Sequence, residues 1–212
     1  MPKQAIFHTI QEQIMKNILT AIFFSVLLIG CSQTPNVKPQ AVTWQTQQSQ
    51  VKRLTHWSFS GKIAFISPTQ RHSLNIFWQQ KGDQFHIILT SFIGSTVLNI
   101  QKTKQTTRII TREGKIYYGK DTDKLIKKLS GLVIPTSLLQ EWIKGNPINA
   151  QFQLNDNNQV LSLLTKDRLR NKWVVNYSKY TIEKNIYLPT QLQLKTNDLR
   201  IKFAINHWNI SM

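Results

Sequence analysis

From Trp57 onward the hydrophobic residues fall on every second position. Trp57, Phe59, Gly61, Ile63 and Phe65 alternate with Ser58, Ser60, Lys62 and Ala64, the pattern of a strand with one buried face. Leu74, Ile76 and Trp78 repeat it, as do Phe85, Ile87 and Leu89. Lys81-Gly82-Asp83-Gln84 and Glu113-Gly114 are turn signals. With further strands expected over 95–101, 106–112 and 115–119, this region reads as six consecutive strands in an antiparallel meander. The period then becomes helical. Asp121 is placed to cap a helix whose apolar face is Leu125, Ile126 and Leu129, with Lys127 and Lys128 near its end and Gly131 as its stop. Pro135 opens a second short helix with Leu138, Leu139, Trp142 and Ile143 inward, and Gly145-Asn146-Pro147 ends it. Trp44, Gln48, Val51 and Leu54 recur at helical spacing before the first strand. Strands return over 151–154, 159–165, 171–178, 187–195 and 199–208. Eleven strands and about three short helices leave too little helix to cover both faces of a large sheet. The expected architecture is therefore mainly β: a curved antiparallel sheet, closed or half closed around an apolar, aromatic interior, with the helices as a lid.

The chain ahead of these elements is of another kind. Met15-Lys16-Asn17 is followed by an apolar run, Ile18 to Ile29, broken by Thr20 and Ser25 alone. That run is shorter than the roughly 20 residues a membrane-spanning helix needs, and it has the length of a signal-peptide core. It ends in Leu28-Ile29-Gly30-Cys31, which resembles the lipobox of bacterial lipoproteins, with Ile29 where that pattern prefers a small residue. The resemblance implies cleavage after Gly30, diacylglycerol on the Cys31 sulfur and an acyl group on the new amino terminus. We therefore expect a signal peptide over 1–30 with Met15 as the real start, a lipid-anchored tether over 31–42 that carries two prolines, and a domain over 43–212. Extended, the tether reaches roughly 35 Å.

Charge and composition narrow the function. The chain carries 27 Lys plus Arg against 10 Asp plus Glu, a formal net charge of +17. Loss of Lys3, Lys16 and Glu12 with the leader keeps 25 of those basic and 9 of those acidic residues. Export argues against nucleic acid as the partner, and no basic helix or RNA-binding signature is present. An acidic protein or anionic lipid remains. The single cysteine excludes an intramolecular disulfide framework and a Cys-rich zinc site. No G-x-S-x-G, H-E-x-x-H or C-x-x-C occurs. Residues 114–121 nearly match a phosphate-binding loop, but Ile116, Tyr117 and Tyr118 read as strand, and Asp121 would put a carboxylate where phosphate belongs. The acids fall mainly in turns and helix starts, leaving Glu141, Asp167 and Glu183 scattered and unpaired in sequence. No enzyme activity, metal or cofactor is expected. The apolar pair Phe92-Ile93, next to Gly94, stands where a hairpin tip normally carries polar residues. Either a wide turn folds the pair into the core, or it is an exposed contact point for membrane or partner.

The residues of that hairpin, Leu89-Thr90-Ser91-Phe92-Ile93-Gly94-Ser95-Thr96, bring a family into view. Together with Phe59-Ser60-Gly61-Lys62-Ile63-Ala64-Phe65, Phe77-Trp78-Gln79-Gln80, residues 129–135, residues 139–143, Trp173-Val174-Val175-Asn176-Tyr177 and Pro189, they resemble the LolB family of outer-membrane lipoprotein receptors, in order and over nearly the whole chain after Cys31. The resemblance implies an eleven-stranded antiparallel half-open β-barrel with a helical lid over an apolar cavity. It also implies a partner, a soluble periplasmic lipoprotein carrier of LolA type, whose cargo is received and placed in the outer membrane. The family's exposed loop leucine falls on Ile93, and Phe92 stands where proline is common. From strand parity and the lid helix, the acyl-binding lining is expected to be Phe59, Ile63, Phe65, Ile76, Trp78, Ile87, Leu89, Trp142, Trp173, Val175, Leu192 and Phe203. A monomer held at the outer membrane by its lipid is expected. The competing classes are a lipid-anchored structural subunit of an envelope complex, which would have a filled barrel, and a lipid-processing enzyme, which lacks a catalytic constellation.

Overall fold

The computed structural model describes residues 43–197 and 199–211. The leader, Cys31 and the tether lie outside the described residues. Among the described residues there are eleven strands in one sheet and three helices. In chain order they are α1 (Trp44–Arg53), β1 (His56–Ile66), β2 (Arg71–Lys81), β3 (Gln84–Thr90), β4 (Thr96–Lys102), β5 (Thr107–Thr111), β6 (Ile116–Gly119), α2 (Thr122–Ser130), α3 (Thr136–Trp142), β7 (Gln151–Leu154), β8 (Val160–Lys166), β9 (Lys172–Glu183), β10 (Ile186–Thr196) and β11 (Leu199–Ser211).

The strand order is β6-β5-β4-β3-β2-β1-β11-β10-β9-β8-β7. The first and last strands therefore meet in the middle of the sheet, and two antiparallel meanders run outward from them. The edges, β6 and β7, are not paired to each other, so the barrel is open. They are consecutive in sequence, and the chain between them is α2 and α3. A connection from one edge of a curved sheet to the other crosses its concave side. The lid is thus a consequence of the strand order.

The alternation seen in the sequence is realised in burial. Trp57, Phe59 and Ile63 of β1, Ile76 and Trp78 of β2, and Phe85, Ile87 and Leu89 of β3 are buried on the concave face. In β11 the parity survives through a bulge. Ser60 pairs with His207 but Gly61 pairs with Ile205, so Asn206 and His207 both face outward. Ile201, Phe203 and Ile205 then stay inward together with Trp208 and Ile210. A second irregularity lies at Pro189 in β10, where a strand tolerates the missing N–H. The Pro189 carbonyl accepts a 2.9 Å hydrogen bond from Trp208 Nε1.

The helices are tied down by polar groups. Asp121 caps α2 by accepting from Lys124 N at 3.0 Å, and Gly131 closes it in the left-handed region at φ 74°. Asp123 accepts from the backbone N–H and hydroxyl of Thr136, at 3.0 and 2.6 Å, and so staples α3 to α2. Helix α1 buries Gln47, where its periodicity points to Gln48. The Gln47 side chain donates to Tyr187 O at 2.6 Å and accepts from Tyr187 N at 3.1 Å, pairing with β10 as a strand residue would. Lys144, 3% exposed, ends against the last turn of α1. Its ammonium donates to the carbonyls of Val51 and Leu54 and pairs with Glu141 at 3.0 Å. Glu141, which the sequence leaves without a role, is the counter-charge of this lysine.

The seam between β1 and β11 is tight at Gly61. A Cβ there would collide with the Ala204 carbonyl oxygen and the Ile205 Cα of β11. Both are backbone atoms, so the strands would have to separate. Gly61→Ala is expected to cost about 1–3 kcal/mol, read as a lower urea midpoint at unchanged slope.

Candidate functional site

The concave side is divided. On the β8–β10 side and along the lower part of β1 it is packed solid. Phe59, Trp173, Val175 and Leu192 are at most 3% exposed there, and Trp142 of α3 is fully buried. The Trp142 and Trp173 rings lie 5.8 Å apart, and Trp57, Phe59, Trp78 and Trp208 form one aromatic cluster with centroids 5.1–6.0 Å apart. Tyr177 donates to the Trp142 carbonyl at 2.8 Å and Tyr180 to the Val160 carbonyl at 2.6 Å. Burial pushes both phenols above their ordinary range, so both remain neutral donors.

On the β1–β4 side the interior is hollow. A cavity of about 370 Å³ lies between the sheet and the lid. The expected residues Ile63, Phe65, Ile76, Trp78, Ile87, Leu89 and Phe203 line it. Phe59, Trp142, Trp173, Val175 and Leu192 do not; they belong to the packed half. Inward alternation places all twelve on the concave face, but it does not say which of them meet a neighbour across it. The lining further includes Leu74, Leu98, Ile100 and Ile201 from the sheet and Ile126, Leu132, Ile134 and Leu139 from the lid. All lie at inward positions or on the apolar lid face, which was the available clue. None of the lining comes from α1. The lid over the cavity is α2, α3 and the segment joining them.

The walls are mainly apolar. Of the polar residues on the lining, Ser130 and Thr136 belong to the lid and spend their hydroxyls within it, on Ile126 O and Asp123. The other three, Ser67, Gln70 and His72, lie at the β1–β2 end, which marks the mouth. The depth ends near Trp78, whose Nε1 donates to Gln80 at 3.0 Å; Gln80 in turn donates to Gln140 of α3 at 2.9 Å. This bond fixes the deep end of the lid to the sheet.

Strand directions put the turns 67–70, 91–95, 112–115 and 167–171 at the mouth end. The 91–95 turn is held by Ser91: its carbonyl accepts from Gly94 N at 3.0 Å and Asn75 Nδ2 at 3.0 Å, and its N–H donates to Ser95 O at 2.8 Å. Gly94 takes φ 87°, which suits glycine. Phe92 and Ile93 are 92% and 72% exposed. They are not folded into the core.

Among the described residues no cluster of three His, Cys, Asp or Glu could hold a metal, and no helix is long and apolar enough to cross a membrane. Residues 116–119 are strand and Asp121 is a helix cap, so the phosphate-loop likeness has no loop behind it.

An open half-barrel with a hollow, apolar half under a helical lid has the form of a container for an apolar ligand. Solved structures share this fold at very low sequence identity. A DUF1329 family protein from Desulfovibrio piger is 8% identical, with a TM-score of 0.54 over 80% of this chain and 91% of its own. A LolA superfamily protein from Nitrosomonas europaea is 7% identical, with a TM-score of 0.50 over 81% of this chain and 94% of its own. Residues 55–208 match the family model of outer membrane lipoprotein LolB. The outer-membrane lipoprotein LolB of Psychromonas ingrahamii is 51% identical over 92% of this chain and 96% of its own. That of Vibrio cholerae is 35% identical over 93% and 98%. The chain belongs to the LolB family of outer-membrane lipoproteins.

One carboxylate at the mouth end is structural. Asp167 is buried in the β8–β9 turn. It accepts from Leu169 N, Asn171 N and Asn171 Nδ2 at 2.8–2.9 Å and from Trp173 Nε1 at 3.1 Å. Burial raises its pKa, but the donors from Asn171, Trp173 and Leu169 outweigh it and hold the carboxyl below its ordinary value. The stability it contributes is complete above the unfolded aspartate pKa, about 4, and is lost as pH falls through the depressed folded value. Asp167→Asn is expected to cost about 1–3 kcal/mol at neutral pH. In urea titrations the gap from the unaltered protein should narrow as the pH is lowered towards 3.

Proposed function

We propose that the cavity receives the acyl chains of a lipoprotein delivered by a soluble periplasmic carrier of LolA type, and that the protein then releases them into the outer membrane. The observation that carries this is the apolar hollow half of the sheet, with its mouth on the same end as the exposed Phe92-Ile93 tip. An acyl chain leaving a carrier for water would lose ~0.8 kcal/mol for each methylene, so the chains must pass between apolar surroundings. No chemical step is needed, and we assign the protein no enzyme activity. Transfer runs down a gradient of acyl affinity from carrier to cavity to bilayer. The excess of basic residues speeds encounter with an acidic carrier. The protein acts as a monomer tethered through triacylated Cys31, with residues 1–30 removed; Ser32 after that cysteine agrees with outer-membrane sorting. A filled structural subunit is disfavoured by the hollow.

The tip acts in deposition rather than capture. Burial of one isoleucine contributes roughly 1.5–3 kcal/mol, enough to disturb lipid packing locally while the Cys31 lipid holds the protein in place. Because Ile93 packs against little, Ile93→Glu should keep stability within about 0.5 kcal/mol. It should still take lipoprotein from the carrier and fail to pass it to membrane, as followed by sucrose-gradient fractionation of a labelled cargo. Unfolding of the variant, or undiminished transfer to membrane, would overturn the role of the tip.

A further inference from the structure

A second apolar tip stands at the mouth end. The β8–β9 turn presents Arg168-Leu169-Arg170, with Leu169 64% exposed and both arginines exposed. A leucine at a hairpin tip is as unusual as the Phe92-Ile93 pair. Its exposure is not looseness. The Asp167 carboxylate binds two backbone N–H groups of the turn and the indole of buried Trp173. The Asp167 N–H donates to Asn171 O and its carbonyl accepts from Arg170 N, each at 3.0 Å. The scaffold is anchored in the packed half of the core and displays three side chains outward.

This tip borders the cavity mouth. Asn171 shares a crevice with Leu132 and Leu199, and both leucines also line the cavity. Across the mouth, Val97 and Leu98, just beyond the 91–95 turn, line the cavity too. The two apolar tips therefore flank the opening from the two meanders.

Their chemistry differs. Phe92-Ile93 is flanked by Ser91, Gly94 and Ser95 and carries no charge of its own. Leu169 lies between two guanidinium groups, with Lys166 and Lys172 at the adjoining strand ends. Neither Arg168 nor Arg170 pairs with a carboxylate among the described residues. Of the described acids at this end, Asp167 is buried and Glu113 bonds the Thr111 hydroxyl; Asp198 lies outside the described residues. Asp83, Asp156 and Glu183 sit at the opposite end of the strands. An apolar side chain between forked phosphate-binding donors fits a surface of phosphate groups over hydrocarbon.

We propose that Arg168-Leu169-Arg170 is a second membrane foot, which binds the phosphates of anionic phospholipid and seats the cavity mouth on the bilayer beside the Phe92-Ile93 tip. The inference rests on the acyl-delivery reading, because it supplies the orientation that delivery needs.

The test uses the mature lipid-anchored chain in vesicles of phosphatidylethanolamine and phosphatidylglycerol that carry nitroxide on their acyl chains. Leu169→Cys, Ile93→Cys and, at the far end, Asp156→Cys are each labelled with nitrobenzoxadiazole. Dye at 169 and 93 should be quenched and dye at 156 should not. Adding Arg168→Glu and Arg170→Glu to Leu169→Cys should lower the docked-to-undocked ratio about 30-fold, at roughly fivefold per arginine. Neutral phosphatidylcholine or high salt should weaken quenching at 169 as well. Three results would overturn the proposal: no quenching at 169, quenching indifferent to lipid charge and to the arginines, or shielding at 169 that requires the periplasmic carrier instead of vesicles. Quenching at 169 without quenching at 93 would keep this foot and remove the insertion role of Phe92-Ile93.

Discussion

The pairing of β1 with β11 is the constraint on which the rest of the structure depends. It joins the two ends of the domain along eleven registered residue pairs, from His56–Ser211 to Ile66–Arg200. Once the ends meet at the centre, the two meanders can only grow outward, and the chain linking them leaves from one edge and returns at the other. Helices α2 and α3 are carried across the concave face for this reason. The Ser60/Gly61 bulge lets the long β11 keep one inward face while it twists along β1.

Packing then differentiates the two meanders. The second is filled by Trp142, Trp173, Val175 and Leu192, and its connections to the helices are polar and specific: Gln47 to Tyr187 and Tyr177 to Trp142. The first meets the lid through Ile126, Leu132, Ile134 and Leu139 over empty space. A rigid half thus carries a half whose apolar surfaces lack partners in the protein itself. Such surfaces are costly unless an apolar ligand covers them.

Much of this was legible in the residues. Period-two alternation located the strands, and Asp121 and Gly131 marked α2. What alternation cannot show is the neighbour across the interior. Phe59 and Ile63 lie on the same face of the same strand, yet Phe59 sits in an aromatic cluster and Ile63 borders the cavity. The β1–β11 pairing spans the whole domain and has no local signature. The roles of Gln47 and Lys144 depend on partners 140 and about 90 positions away. Asp167 looked unattached because its donors, Leu169, Asn171 and Trp173, are typed as turn and strand residues until the turn is folded.

The central claim is that one half of the interior is a packed scaffold and the other is a ligand-sized hollow under the helical lid. Hydrogen exchange, resolved by residue, tests it most directly on the protein with and without a lipoprotein-derived acyl peptide. The account predicts slow exchange throughout β1, β11, β10 and β9 in both states. Residues 127–134 and the edge strand β6 should exchange quickly without ligand and become protected when it binds. Uniform protection of lid and scaffold in the empty protein, with no change on adding ligand, would contradict it.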